Sequence, residues 1–292
     1  MSDGFRVGPS ARIGHVSLNV SDLDRSLEFY ESVLGFHRAS KLSDRVLLSA
    51  GSNQPHLVEL RQVDAGRPGR STTKRAGLYH FAILLPERKH LADALLNLND
   101  NREKVRFDGF ADHLVSEAIY LRDPDFNGVE IYCDRPVSEW QWNGASVRMA
   151  TESLDTEDLM KDATESGWKS MPEKTIIGHV HLHVRNLGDA MKFYRDALGL
   201  SHNASYPGAY FFAAGKYHHH VATNTWLGTA ISEASPESVG LDHFAIVLPS
   251  QIELDRTLAR LSASVVESHP NSVFVRDADG IMVRLYAKAF RS

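Results

Sequence analysis

The chain of 292 residues contains one cysteine, Cys133. A single cysteine excludes an internal disulfide and the clusters of thiolates that hold structural zinc. The sequence also has no run of about 18 apolar residues, which excludes a conventional transmembrane helix. Its N-terminal segment lacks the apolar core of a signal peptide. We therefore expect a cytoplasmic protein that is not associated with a membrane.

The sequence also has no excess of basic over acidic residues. The formal net charge is −5 at pH 7, with histidine counted as neutral. Such a chain has no electrostatic footprint for nucleic acid, so we expect no nucleic-acid partner. Hydrophobic residues make up 42% of the chain and charged residues 24%, which is enough for two globular domains with full cores.

Histidine, in contrast, is abundant, with 15 residues. Because thiolates are absent, any transition-metal chemistry must use imidazole and carboxylate ligands. Several of these histidines occupy corresponding positions in an internal repeat.

The repeat begins with the segment Arg12–Phe36, which recurs at Ile177–Leu200. His15 matches His179, and the offset of 164 residues holds without a gap across the segment. A constant offset of this kind indicates a duplicated unit. Each copy alternates polar and apolar residues and then shows helical spacing that ends at a glycine, so each predicts a strand followed by a helix.

A second pair of segments begins at Gly77 and Gly240, with His80 matching His243. Each of the four segments predicts a strand, a helix and three further strands. The expected fold is α+β, with two domains that each contain a pair of βαβββ modules.

These patterns also predict the domain boundaries. Residues 1–135 would form the first domain and residues 175–292 the second. Residues 136–174 break the rhythm and predict a packed connecting segment with one helix around Leu154–Glu165.

A candidate metal site follows from three residues at related positions. His15 and His80 begin the first strands of the first two modules, and Glu130 lies on the polar face of the last strand of the second module. A single histidine or glutamate in such a position is more often structural or solvated. Two imidazoles and a carboxylate on separate strands, however, match a ligand set that binds Fe(II) and leaves neighbouring positions open.

The same segments carry a family resemblance. Ile13-Gly14-His15, Leu34-Gly35-Phe36, Asp123-Pro124-Asp125 and Gly128–Tyr132 resemble the vicinal oxygen chelate superfamily. Four modules in two domains resemble the type I extradiol ring-cleaving dioxygenases, especially the catechol 2,3-dioxygenase group. The resemblance implies a cup-shaped mixed sheet in each domain and Fe(II), with Mn(II) as the alternative. It also implies a small aromatic diol and O2 as substrates, and a homo-oligomer.

Three catalytic roles come from the resemblance alone. In such enzymes a tyrosine ten residues before the metal-binding glutamate helps to deprotonate the catechol, and Tyr120 matches it. His56, on the last strand of the first module, matches the acid–base residue. His113 would be a further hydrogen-bond donor near the metal.

The second half of the chain departs from the family pattern, in which the second domain usually holds the metal. His179 and His243 remain, and a histidine of the run His218–His220 corresponds to His56, but Arg284 replaces the glutamate and Phe274 the tyrosine. An arginine cannot bind a metal ion and adds a fixed positive charge. We expect a degenerate or auxiliary site there, although three histidines could still hold a metal.

Two other functions fit the scaffold. One is a glyoxalase-like isomerase or lyase with Ni, Zn or Mn, which would need a fourth protein ligand from His56 or Glu59; strand alternation places these two on opposite faces. The other is a binding protein without catalysis. The segment Val63–Ala76, an expected wall of the substrate pocket, has no signature that identifies a ligand.

Overall fold

A computed structural model describes residues 4–42, 44–64, 74–235 and 237–287. The predicted α+β class is confirmed, and each predicted module forms a strand, a helix and three strands. The first module contains β1 Arg12–Val20, α1 Leu23–Leu27 with the π-helical continuation Glu28–Val33, β2 His37–Lys41, β3 Arg45–Ser49 and β4 His56–Gln62. The second contains β5 Gly77–Leu84, α2 Arg88–Asp100, the 3-10 turn Arg102–Lys104, β6 Arg106–Asp112, β7 Ser116–Arg122 and β8 Gly128–Asp134.

The connecting segment comes next, and the third and fourth modules repeat the order of a strand, a helix and three strands. The connection contains the 3-10 turn Val137–Glu139, β9 Trp142–Asn143, β10 Ser146–Val147 and α3 Thr156–Met160. The third module contains β11 Ile176–His183, α4 Leu187–Ala190 with the π-helical continuation Met191–Ala197, β12 Ser201–Tyr206, β13 Ala209–Ala213 and β14 Val221–Asn224. The fourth contains β15 Gly240–Leu248, α5 Gln251–Arg260, the 3-10 turn Ser262–Ser264, β16 Val265–His269, β17 Ser272–Arg276 and β18 Met282–Ala287.

Two mixed sheets of eight strands combine these modules across the two halves of the chain. One has the order β16-β17-β18-β15-β1-β4-β3-β2 and is called the 1–4 sheet, because modules one and four form it. The other has the order β12-β13-β14-β11-β5-β8-β7-β6 and is called the 2–3 sheet. In each sheet the two first strands run antiparallel at the centre, β1 beside β15 and β5 beside β11.

This pairing corrects the predicted domain division. The segments 1–135 and 175–292 each contain two modules, as expected, but neither segment forms a sheet by itself. The first strand of a module has a free edge that can accept any other first strand, so the local sequence pattern does not select the partner. The sheets instead join the first module to the fourth and the second to the third.

Neighbouring modules in the sequence make a different kind of contact. The buried hydroxyl of Tyr30, in the first helical segment, donates to Asp123 of the second module at 3.0 Å. Tyr194 repeats this contact with Asp277 in the fourth module at 2.9 Å. The predicted helix stop is also present, since Gly35 has φ +80° and an added Cβ would lie 2.9 Å from the backbone of Met171.

The connecting segment packs onto the body of the protein. Val147, Leu159 and Met171 are buried. Its helix, α3, is shorter than the predicted Leu154–Glu165 and is capped by Asp155, whose side chain accepts from the backbone N–H of Asp158. Across the described ranges, no helix has the length and apolar character needed to cross a membrane.

Candidate metal centre

Three candidate metal ligands meet at the centre of the 2–3 sheet. His80 lies on β5, Glu130 on the parallel strand β8 and His179 on the antiparallel strand β11. The register pairs Ala82 with both Glu130 and His179, so the strands bring the three side chains to one place. All three residues are buried. We call this group, His80, Glu130 and His179, the 2–3 site.

The spacing of these side chains suits a metal ion. Oε2 of Glu130 lies 3.0 Å from Nε2 of His80 and 3.1 Å from Nε2 of His179. Ligand atoms about 2.1 Å from an ion on one face of an octahedron lie about 3 Å apart. In the part of the chain that the structure describes, no fourth histidine, cysteine or carboxylate joins this group.

The protonation states also suit a metal. Burial by itself would raise the pKa of Glu130, but its contacts with His179 and His80 outweigh burial and hold that pKa well below its ordinary value. Burial lowers the pKa of His179 to about 4 although Glu130 acts in the opposite direction. The site therefore offers a carboxylate and an imidazole lone pair near neutral pH.

Tyr120 and His113 lie beside this group. Tyr120 pairs with Glu130 across β7 and β8, and its Oη lies 2.7 Å from Nε2 of His113. Nδ1 of His113 lies 2.7 Å from the carbonyl oxygen of Ala150, which can only accept, so Nδ1 carries the proton and the tyrosine hydroxyl donates to Nε2. Burial and the charge of Glu130 raise the pKa of Tyr120 well above 10.

His219 completes the surroundings of the site, and its tautomer follows from two neighbours. Nε2 of His218 donates to Oδ1 of Asp134 at 3.0 Å. Nδ1 of His218 is then free to accept from Nδ1 of His219, 2.7 Å away. This chain leaves Nε2 of His219 without a proton, and the His219 ring lies 4.0 Å from that of His179, between centroids.

A cavity of about 610 Å³ opens onto these groups. Apolar side chains from both modules and from the connecting segment form much of its wall; they include Phe110, Val147, Met149, Phe211 and Trp226. This volume lies within the usual range for small-molecule sites. The sequence did not indicate that residues 147–151 of the connection would line the site.

The structure divides the residues that the sequence predicted for one site. His80, Glu130, Tyr120 and His113 are brought together. His15 is not; its strand β1 lies in the other sheet, where His15 meets Glu59 and His243. The predicted grouping of His15 with His80 and Glu130 is therefore corrected, because modules one and two share no sheet. His179, expected to be degenerate, takes that place.

His56 lies in the 1–4 sheet as well. Its ring centroid is 4.4 Å from that of His15, and it is not among the residues that line the cavity at the 2–3 site. The histidine beside the 2–3 site is His219, which belongs to the run that the sequence relates to His56. The two predicted acid–base residues, His56 and Tyr120, thus belong to different sheets.

The 1–4 sheet holds its own cluster of ligand-type side chains. Nε2 of His15 and Nε2 of His243 lie 3.3 Å apart, and Glu59 is close enough that the ligand atoms of all three lie within 4.8 Å of one another. All three residues are buried. We call the group His15, Glu59 and His243 the 1–4 site.

A β-bulge explains why Glu59 and His56 both lie near His15. Leu48 pairs with Val58 and Ser49 with His56, so Leu57 is an additional residue in β4. Such a bulge shifts the alternation of side chains by one residue. The expected placement of His56 and Glu59 on opposite faces is therefore wrong.

Comparison with known proteins identifies the family. Residues 12–131 and 176–285 match the Glyoxalase/Bleomycin resistance protein/Dioxygenase superfamily. The chain belongs to this superfamily. A catechol-2,3-dioxygenase from Bacillus subtilis (strain 168) is 41% identical over 271 residues, which cover 91% of this chain and 93% of that protein. The predicted family resemblance is confirmed.

Two further relatives are more distant. Biphenyl-2,3-diol 1,2-dioxygenase 3 from Rhodococcus globerulus is 29% identical over 151 residues, or 52% of this chain and 74% of that one. The crystal structure of glyoxalase I from Zea mays superimposes with a TM-score of 0.57 at 17% identity and covers 95% of this chain and 92% of that one. This last likeness concerns the fold.

Proposed function

We propose that this protein is an extradiol dioxygenase that cleaves the ring of a small aromatic diol with O2 at the 2–3 site. The observation that carries the proposal is the convergence of His80, Glu130 and His179 below a cavity that also contains Tyr120, His113 and His219. The catechol-2,3-dioxygenase of Bacillus subtilis, 41% identical to this chain, supports the same reaction class.

His80, Glu130 and His179 would hold the metal, with Fe(II) favoured and Mn(II) as the alternative. Such an ion would bind the aromatic diol and O2 together and would supply the redox chemistry between them. A set of three protein ligands fits this use. A glyoxalase-like reaction with a fourth protein ligand is disfavoured, because no such ligand accompanies the three in the described residues.

The remaining residues would manage protons and exclude water. Nε2 of His219 has no proton in the tautomer fixed by His218 and Asp134, so it can accept one from a substrate hydroxyl and return it later. Tyr120, held by His113, would orient the second substrate oxygen beside Glu130. The apolar wall would pack on the ring and keep bulk water away from the reacting atoms.

An anaerobic loading experiment tests this function. The metal-free protein is loaded with Fe(II) or Mn(II) without oxygen, and a simple catechol and O2 are then added. We expect a yellow ring-fission product and O2 uptake in equal amounts. A fully loaded protein that consumes no O2 with any of several catechols would overturn the proposal.

The expected homo-oligomer stays a prediction.

A further inference from the structure

The 1–4 site has the same construction as the 2–3 site. In the 2–3 sheet, the second module supplies His80 and Glu130. Glu130 pairs with Ala82, two positions after His80. The third module supplies His179. In the 1–4 sheet, the first module supplies His15 and also Glu59, which pairs with Ser17, two positions after His15. The fourth module supplies the second imidazole.

The position of the carboxylate was not visible from the repeat along the sequence. That repeat relates Glu130 to Arg284, which suggests that the carboxylate has been lost. The register of β1 and β4 shows that Glu59 of the opposite module occupies the matching place in the 1–4 sheet. The donor set of two imidazoles and one carboxylate is therefore complete in both sheets.

The distance between the two imidazoles fits a shared metal ion. Nε2 of His15 and Nε2 of His243 lie 3.3 Å apart. Two nitrogen ligands about 2.05 Å from a tetrahedral ion lie about 3.3 Å apart.

Neighbouring carboxylate and guanidinium groups fix the orientation of two of these ligands. Nδ1 of His243 donates to Oδ2 of Asp242 at 2.8 Å, which leaves its Nε2 free to bind a cation. Oε1 of Glu59 accepts from Nη1 of Arg45 at 2.5 Å. Carboxylate–histidine pairs of the first kind are typical of metal sites, where they set the tautomer and orient the ring.

A further buried donor atom lies next to the group. Nε2 of His56 is buried and has no hydrogen-bond partner among the described residues, and its ring centroid lies 4.4 Å from that of His15, with the two ring planes tilted by 44°. Arg284, which would repel a cation, donates from its Nε to Oγ of Ser272 at 3.2 Å, and its guanidinium carbon lies 5.5 Å from the centre of the Phe274 ring.

We infer that the 1–4 site is a second metal site, which binds a divalent first-row ion such as Zn²⁺ through His15, Glu59 and His243. The ion would join the first and last modules of the chain and would be structural, since the matching positions for Tyr120 and Glu130 are Phe274 and Arg284. This inference does not depend on the reaction at the 2–3 site.

Counting bound metal tests the inference. Metal-free wild-type protein is dialysed against Co²⁺ under argon, and bound ions per chain are measured together with the visible absorption of the bound Co²⁺. We expect two ions for wild type and for the control His37→Ala, which changes an exposed histidine of the same sheet. We expect one ion each for His243→Ala and His179→Ala. Wild-type protein that saturates at one ion, with His243→Ala unchanged, would overturn the inference.

Two further measurements keep the inference testable if His243→Ala does not fold. Glu59→Gln keeps the size of the side chain and can still accept from Arg45, so it tests the charge alone; we expect the second ion to bind at least about tenfold more weakly. In His179→Ala, which retains only the 1–4 site, added Zn²⁺ should raise the midpoint of thermal unfolding. An unchanged midpoint would contradict a site in this sheet.

Discussion

The two sheets carry closely related ligand groups in different surroundings. At the 2–3 site, Tyr120 pairs with Glu130 in the register of β7 and β8. At the 1–4 site, Phe274 pairs with Arg284 in the corresponding register of β17 and β18. One sheet thus has a proton-bearing hydroxyl and an anionic ligand where the other has an apolar ring and a cation.

This difference shows that a ligand set alone does not make a catalytic centre. Both groups can offer two imidazoles and a carboxylate. At the 2–3 site these ligands also face a large cavity and a histidine whose tautomer is fixed by its neighbours. We therefore propose proton transfer and substrate positioning for the 2–3 sheet and a structural role for the 1–4 sheet.

Matched glutamine substitutions at Glu130 and Arg284 should separate the sheets most strongly. Glu130→Gln removes the proposed anionic metal ligand, so we expect kcat/KM for catechol to fall at least about 1000-fold. Arg284→Gln changes the residue at the corresponding position, away from the cavity, and should stay within about threefold of wild type. Steady-state O2 uptake with metal content measured in parallel is the test. Equal losses in both variants would contradict the assignment of catalysis to one sheet.

Substitutions at His219 and His56 should give a smaller but still large difference. His219→Gln removes the proposed proton acceptor. We expect kcat to fall by about 100-fold to 10,000-fold, which is the usual contribution of a general acid–base group. His56→Gln should have little effect on turnover, because His56 lies in the 1–4 sheet.

The dependence of kcat on pH distinguishes a base from a residue that only shapes the pocket. We expect His219→Gln to lose the acidic limb of that profile, while His56→Gln keeps it. If His56→Gln is the impaired variant, the sequence-based role of His56 is right and the structural assignment is wrong.

The sequence predicted well what lies within one module. His80, Glu130, Tyr120 and His113 belong to the second module, where strand alternation and short turns fix which side chains share a face. It did not predict which modules share a sheet, because β1 could pair with any other first strand, so His15 was assigned to the wrong neighbours.

Other errors have local causes. The bulge at Leu57 shifts the alternation of side chains in β4, so that His56 and Glu59 do not lie on opposite faces. No glycine or other turn residue in the sequence indicates this bulge. The contribution of residues 147–151 to the cavity depends on how the connection folds back over the sheet, which short-range patterns do not encode. The predicted pocket wall Val63–Ala76 falls mostly at residues 65–73, outside the described residues.

The two sheets should also respond differently to acid, because the 2–3 sheet contains more buried histidine. His220, which directly precedes β14 of this sheet, is half-buried. The backbone N–H of Ala214 donates to its Nδ1 at 3.1 Å, and burial lowers its pKa to about 3. Leu57 occupies the corresponding position in the 1–4 sheet, because Val58 pairs with Val16 there as Val221 pairs with Val180 in the 2–3 sheet.

The sign of the effect follows from proton uptake. An unfolded chain binds a proton at His220 below pH about 6.5, whereas the folded chain resists it down to about 3. The contribution of His220 to stability is therefore full above pH 6.5 and is lost progressively as the pH falls through that window.

His220→Gln, which keeps an acceptor for Ala214, should make metal-free protein less sensitive to acid. Between pH 7 and pH 5, we expect its free energy of unfolding to fall by about 1–2 kcal/mol less than that of wild type. Urea unfolding at several pH values measures this, with the exposed His37→Gln as the control. If the free energy of unfolding of His220→Gln depends on pH as strongly as that of wild type, protonation of other groups destabilises the protein. The prediction that the 2–3 sheet is the more acid-sensitive sheet would then be wrong.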